Sequence, residues 1–151
     1  IPDLDVVMTP VGGGGLLAGT SIAVSALSPS TKTIAAEPAN ADDAFRSLAA
    51  GRIIPSDNPR TVADGLLTSL GTRNFPIIQS RVSSIVTVTE DAIIEAMRLI
   101  WERMKIVVEP SGAVPLAAIR TRRAEISGQR IGIILSGGNV DLARLPWNDS
   151  D

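Results

Sequence analysis

Apolar positions along this chain recur in two periods, and the alternation between them predicts its elements. Four short runs rich in β-branched and apolar residues, at 5–9, 33–37, 85–89 and 131–136, read as strands. Ile93, Met97, Ile100 and Met104 recur at helical spacing, which predicts a helix over 90–104 with that stripe in the core. Thr89 supplies its N-cap, and Glu90 and Asp91 suit a first turn where the helix dipole favours negative charge. A second helix is expected over 16–27, stopped by Ser28-Pro29-Ser30. A third follows Asn40-Ala41-Asp42-Asp43 and closes near Gly51. Strands alternating with helices predict an α/β fold, three layers deep, with helices on both faces of one mainly parallel sheet. The stretch 52–69 is richer in Pro, Asn, Asp and Ser and lacks a sustained period. It reads as a long ordered loop within one unit, of the kind that lines sites.

Two of these strands run into glycine. The first is followed by Gly12-Gly13-Gly14-Gly15 and then by Leu16-Leu17-Ala18-Gly19. Consecutive glycines between a strand and a helix leave backbone N–H groups free at a helix N-terminus, where the dipole also favours an anion: this is how a phosphate cradle is built. Glycine lets the backbone come close to the anion and take up positive φ. The alternative is a tight turn needed only for close strand–helix packing. No Lys-Ser or Lys-Thr follows, which excludes a Walker loop, and the run does not match Gly-x-Gly-x-x-Gly. Glu37 nonetheless lies near the distance at which an acidic residue holds a ribose, so a nucleotide reading has to be weighed. The second turn is Ser136-Gly137-Gly138-Asn139, after Ile131-Gly132-Ile133-Ile134-Leu135. Two parallel strands ending in such turns present both at the carboxyl edge of the sheet, where open α/β folds bind ligands. A last strand followed by a hairpin-like turn is the competing reading.

At 151 residues and 44% hydrophobic content, the chain suffices for one core and is too short for two ordinary domains. Its 14 basic and 16 acidic residues leave a formal charge of −2, no footprint for nucleic acid or an anionic membrane. Arg120, Arg122 and Arg123 read as the solvated end of a helix. Without Cys or His the chain cannot itself supply thiol nucleophiles, disulfides, His-based zinc sites or Ser-His-Asp triads. What remains is oxygen ligands, backbone groups or an outside cofactor. The longest apolar runs fall short of the roughly 18 residues of a membrane helix, so a soluble, cytoplasmic protein is expected. The start at Ile1-Pro2, almost on top of a strand, suggests a cut through a larger protein.

Several segments, in order from Leu4 to Leu142, resemble one family. They are Val11-Gly12-Gly13-Gly14-Gly15-Leu16-Leu17-Ala18-Gly19, Ala36-Glu37-Pro38-Ala39-Asn40-Ala41-Asp42-Asp43 and Thr61-Val62-Ala63-Asp64-Gly65. Trp101-Glu102-Arg103-Met104-Lys105, Glu109-Pro110-Ser111-Gly112-Ala113 and Leu135-Ser136-Gly137-Gly138-Asn139-Val140-Asp141-Leu142 complete the set. Together they look like the pyridoxal-phosphate-dependent serine racemase and serine/threonine dehydratase group. The resemblance implies the tryptophan synthase β-like fold of pyridoxal-phosphate enzymes, with residues 1–151 forming a single, incomplete large domain that is expected to lack its N-terminal strand and helix and the family's small domain. It assigns the cofactor phosphate to Gly12, Gly13, Gly14 and Gly15 with the N–H of Leu16, the pyridine nitrogen to Ser136 and the border of the ring to Gly65. A neutral serine hydroxyl cannot keep that nitrogen protonated as a carboxylate would, which weakens the electron sink and suits α-proton loss followed by β-elimination or reprotonation.

The same resemblance places a Mg²⁺ or Ca²⁺ site at Glu37, Asp43 and the carbonyl of Ala41, hard oxygen ligands completed by water. Against it stands the reading in which Asp42 or Asp43 favours a helix start and Glu37 caps a strand end. The family match favours the cation and weakens the ribose reading of Glu37. Lys105 and Asn139 match residues that bind ATP between subunits in some racemases, although most of that pocket would lie outside this chain. A lysine at a helix end is otherwise a partner of the helix dipole.

The chain departs from the family in one decisive respect. The Schiff-base lysine belongs to a Ser-x-Lys-x-Arg-Gly type motif absent here, and Lys32 and Lys105 are the only lysines. No catalytic residue is therefore assigned within this chain. The expectation is that the intact parent carries out β-elimination from L-serine, L-threonine or a 3-hydroxyaspartate, or serine racemisation, while the isolated chain is inactive. A non-catalytic phosphate- and metal-binding module, or a folded enzyme fragment, are the alternatives. Exposed apolar surface is expected to be covered by a second copy, as a homodimer, or by the missing N-terminal portion.

Overall fold

The computed structural model describes residues 3–121 and 128–148. Strand β1 (Val6–Pro10) leads through the glycine run into helix α1 (Gly15–Leu27), and β2 (Lys32–Pro38) leads into α2 (Asp43–Ala50). A long loop with one 3₁₀ turn at Asp64–Leu66 connects to α3 (Phe75–Arg81) and β3 (Ser84–Val88). Helix α4 (Glu90–Leu99) runs on into a π-helical turn at Ile100–Met104, followed by α5 (Pro110–Thr121) and β4 (Ile131–Ile133). The strands form one all-parallel sheet in the order β3-β2-β1-β4.

Because successive strand residues point to opposite faces, the sheet divides its apolar side chains between two layers of helix. Met8, Ala36, Val86 and Val88 pack with Ile93 and Met97 of α4 and with Val114 and Ala117 of α5. Val11, Ala35 and Ile85 pack with Leu17 and Ala18 of α1, Ala44 of α2, and Phe75 and Ile78 of α3. This is the three-layer α/β arrangement that the alternating pattern predicts. The Oγ1 of Thr89 accepts the N–H of Ala92, so the expected N-cap of α4 is formed.

Three local expectations change. The last strand pairs only over Ile131–Ile133, not as far as 136, because the chain is drawn off the sheet. Ile134 still donates its N–H to the Met8 carbonyl, and the Gly137 carbonyl then accepts the N–H of Glu109, just ahead of α5. Met104 is 53% exposed and leaves the stripe that keeps Ile93, Met97 and Ile100 buried. The π-helical turn changes the rotation per residue there, so spacing that holds in an α-helix no longer aligns its side chain. Helix α3 falls in a stretch where no helix is expected: it is seven residues long, too short to display a period. The helix end expected at Arg120 is that of α5, and Arg122 and Arg123 lie outside the described residues. Among the described residues no helix is long and apolar enough to cross a membrane.

The packing of α4 gives a direct test. Ile93 is fully buried in the layer between α4, α5 and the sheet, whereas Leu27 at the end of α1 is 86% exposed. Ile93→Ala should cost about 2–5 kcal/mol of unfolding free energy in a denaturant titration. Leu27→Ala should stay within about 0.5 kcal/mol of the parent.

Candidate functional site

Parallel pairing brings the ends of β1 and β4 to the same edge of the sheet, and the two glycine turns leave from there side by side. Val11 extends the β1–β2 ladder by one bond, its N–H donating to the Ala36 carbonyl, before the glycines begin. Gly14 is the N-cap of α1 and has φ +82, a left-handed conformation that a side chain disfavours. A Cβ there would lie 2.7 Å from Leu70 Cδ1 and 2.8 Å from Ile78 Cδ1, so its outer side is sealed by packing. Around Gly15 the space is open. Among the described residues none of the N–H groups from Gly12 to Leu17 has a hydrogen-bond acceptor; the first satisfied donor is Ala18, bonded to the Gly14 carbonyl.

The residues that carry these free donors line a cleft of about 200 Å³. Gly12, Gly13, Gly14, Gly15, Leu16, Gly65 and Ser136, all seven residues expected at the cofactor, line it together. Glu109 and Ser111 line it too, residues to which sequence reasoning assigns no role. The Ser111 Oγ accepts the N–H of Gly65 at 3.1 Å, fixing the Ala-Asp-Gly turn to the first turn of α5. The Glu109 carboxylate accepts the N–H of Asn139 at 2.8 Å and lies against Gly137, whose φ is +81. A side chain at Gly112 would collide with the Ser136 carbonyl. The Glu-Pro-Ser-Gly-Ala segment therefore braces both outer turns. Its signal in the sequence is the Pro that opens a helix directly after a carboxylate.

A second polar cluster lies one strand away. Glu37, near the end of β2, is fully buried, and its two oxygens accept the N–H groups of Ala44 at 3.0 Å and Phe45 at 2.9 Å in the first turn of α2. Asp43 is also fully buried; its Oδ2 accepts the N–H of Leu70 at 2.8 Å, while its Oδ1 has no partner. Burial pushes the Glu37 carboxyl from 4.5 up to about 8 against the pull of its two N–H bonds, and the charges of Asp43 and Asp42 add to the rise. Burial likewise raises Asp43, with the Leu70 N–H opposing. Asp42 instead pairs with Arg46 at the surface, at 2.7 Å. Glu37 thus does cap a helix, yet two buried carboxylates, one with an orphaned oxygen, are also donors that a hard cation takes. Among the described residues no group of three or more acidic, His or Cys side chains gathers, so such an ion would rely on these two, a carbonyl such as that of Ala41, and water.

The remaining expected positions are dispersed. Asn139 lines a wider cleft of about 530 Å³ with Asp64, Asp141 and Arg144, and Lys105 is not among its lining residues. Lys105 follows the π-helical turn with φ +58. Lys32 opens β2, at the opposite edge of the sheet from the glycine turns. Neither lysine lines the glycine cleft.

Comparison with known proteins gives this geometry a context. A family model described as pyridoxal-phosphate dependent enzyme matches residues 1–137. The chain is 50% identical over 148 residues to the β-hydroxyaspartate dehydratase of Paracoccus denitrificans, covering 98% of this chain and 47% of that protein. It is 50% identical to the serine racemase of Dictyostelium discoideum, covering 96% of this chain and 46% of that protein. The structure of a T.th. threonine deaminase superposes with a TM-score of 0.89 at 53% identity, over 93% of this chain and 52% of that one. The chain therefore spans about half the length of the curated relatives it matches.

The buried carboxylates impose a pH dependence. A group whose pKa is higher in the folded state stabilises the fold fully below its unfolded value and loses that contribution as the pH rises through its folded value. Without divalent cations, unfolding free energy should fall between pH 4.5 and about 8 as Glu37 ionises. Glu37→Gln should flatten that slope in denaturant titrations at stepped pH. A parent chain gaining stability over the interval would contradict the assignment.

Proposed function

The chain belongs to the pyridoxal-phosphate dependent enzyme family, and on that premise we propose that it forms the part of a serine racemase-like or dehydratase-like enzyme that holds the cofactor's phosphate and ring nitrogen. The observation that supports this most strongly is the meeting of the tetraglycine turn and the Ser136 turn in one cleft. In this reading the N–H groups of Gly12, Gly13, Gly14, Gly15 and Leu16 bind the phosphate with help from the α1 dipole. The Ser136 hydroxyl takes the pyridine nitrogen, and Gly65, held by Ser111, borders the ring. Pyridoxal phosphate, when bound, supplies an electron sink for negative charge developing at the substrate's α-carbon. As a neutral group, Ser136 leaves that sink moderate, which suits loss of the α-proton and then of a β-hydroxyl.

For the whole protein we propose conversion of L-serine, L-threonine or a 3-hydroxyaspartate to a 2-oxo acid and ammonia, with racemisation as the competing outcome. Similar proteins named β-hydroxyaspartate dehydratase, threonine deaminase and serine racemase support this range. Glu37, Asp43 and the Ala41 carbonyl bind Mg²⁺ or Ca²⁺; the unpartnered Oδ1 of Asp43 is what supports a cation over a purely structural pair. Lys105 and Asn139 contribute to a nucleotide effector site only if another segment or subunit completes it. Leu27, Val107 and Leu142 are exposed; a second copy or the segments that complete the large domain cover such surface.

A narrower reading, in which these 151 residues bind without turnover, is favoured for the chain by itself, because neither of its lysines lines the cleft. Incubated with pyridoxal phosphate and L-serine, the isolated chain should release no ammonia, and borohydride reduction should fix no cofactor at Lys32 or Lys105. A cofactor fixed to either lysine together with ammonia release would overturn this reading. The cation site is checked separately. Mg²⁺ or Ca²⁺ should raise the melting temperature of the parent chain and leave that of Glu37→Ala unmoved; equal shifts in both would remove the site.

A further inference from the structure

The carbonyl of Gly13 receives two donors from outside its own turn. Gly71 donates its backbone N–H at 3.0 Å, and Asn74 donates its side-chain amide Nδ2–H at 2.6 Å. Asn74 stands at the N-cap of α3, where asparagine is among the best capping residues. Its side chain makes no capping bond there and reaches instead across 61 positions of sequence to the glycine turn. The local geometry is arranged for that reach. A Cβ on Gly71 would lie 2.9 Å from the Asn74 Nδ2 and 3.1 Å from the Gly13 oxygen, so the space between the two is kept clear by a glycine.

The consequence follows from peptide planarity. In a trans peptide the C=O of one residue and the N–H of the next point in opposite directions. Holding the Gly13 oxygen against the 71–74 turn therefore aims the Gly14 N–H away from it, on the side of the cleft that Gly14 lines. A run of four glycines has more conformational freedom than any other sequence of that length, and without such a clamp this peptide could flip and withdraw a donor. We propose that Asn74 is a positioning residue for the phosphate cradle: its amide locks the Gly13–Gly14 peptide so that the Gly14 N–H is presented to an anion. This rests on the reading of the glycine turn as a phosphate site.

The test uses the full 151-residue chain, ¹⁵N-labelled, as the parent, Asn74→Asp and Asn74→Ala. Asp keeps the shape, removes the donor and is an equally good N-cap at a helix end that favours negative charge; Ala removes the donor without adding charge. Each is titrated with pyridoxal phosphate, with inorganic phosphate, and with pyridoxal as the phosphate-free control. The expected result is that both variants keep the parent's circular dichroism and a similar melting temperature. Their dissociation constants for the two phosphates should rise roughly tenfold or more, with pyridoxal affinity unchanged and the Gly14 amide resonance no longer shifting on phosphate addition. A folded variant that binds phosphate as the parent does overturns the inference. So does an affinity loss that is equal for pyridoxal and its phosphate, or that appears only with loss of fold, since either marks a purely structural role. A parent chain that binds no phosphate overturns the cradle reading itself, and this inference with it.

Discussion

The parallel pairing of β1 with β4 is the constraint on which the rest of this molecule depends. It is short, with Val6, Val7 and Met8 opposite Ile131, Gly132 and Ile133. Parallel strands point the same way, so the turns that follow them must leave the sheet at the same edge. This pairing is what makes Gly12 and Ser136, more than a hundred positions apart, into walls of one cleft. Three pairs are enough because both ends of β4 are tied. At its start Asp5 and Val6 donate to the Arg130 carbonyl, and the Asp5 carboxylate accepts the Arg130 N–H at 2.7 Å. Beyond its end Gly137 accepts from Glu109. The Arg130 ion pairs to Asp3 and Asp5 are exposed and add little.

The loop between α2 and α3 ties the two polar clusters into one frame. Asp43, buried at the start of α2, holds the N–H of Leu70. The next residue, Gly71, donates to Gly13, and the Leu70 side chain is what a Cβ on Gly14 would strike. The buried carboxylate and the glycine turn are thus linked through adjacent residues of a continuous backbone. Burying a carboxylate is costly unless it is hydrogen-bonded or paired. Here that costly group fixes the outer wall of the cleft, which gives a physical reason for its position even before a cation is considered.

How much of this was legible in the sequence depended on the range of the interactions concerned. The strands and α4 announced themselves through periodicity, and the glycine turns through composition. Helix α5 showed only its basic end at Arg120, because Ser111, Gly112, Ala113, Val114, Pro115, Ala117 and Ala118 are all buried; a helix enclosed on nearly every side has no polar stripe to set its phase. Met104 was misplaced because no pattern of side chains announces a π-helical turn. The seven cleft residues were legible as a set only through family resemblance, since no local rule joins Gly65 to Ser136. Glu109, Ser111 and Asn74 act through bonds to distant backbone groups, and residue type alone does not disclose such a partner.

The cleft also has an electrical direction. At one end the free N–H groups of the glycine turn and the N-terminus of α1 make a positive pole. Elsewhere in the lining, α5 begins at Pro110, and its own N-terminal field meets the Glu109 carboxylate, which accepts the Asn139 N–H beside Gly137. The carboxylate offsets there what remains uncompensated at the glycine turn. An anion is therefore favoured at the glycine turn rather than beside the Glu109 carboxylate. A side chain at Gly12 would press on Leu66 and Thr68, and one at Gly14 on Leu70 and Ile78, so either would disturb the shape of the turn while leaving this electrical asymmetry in place.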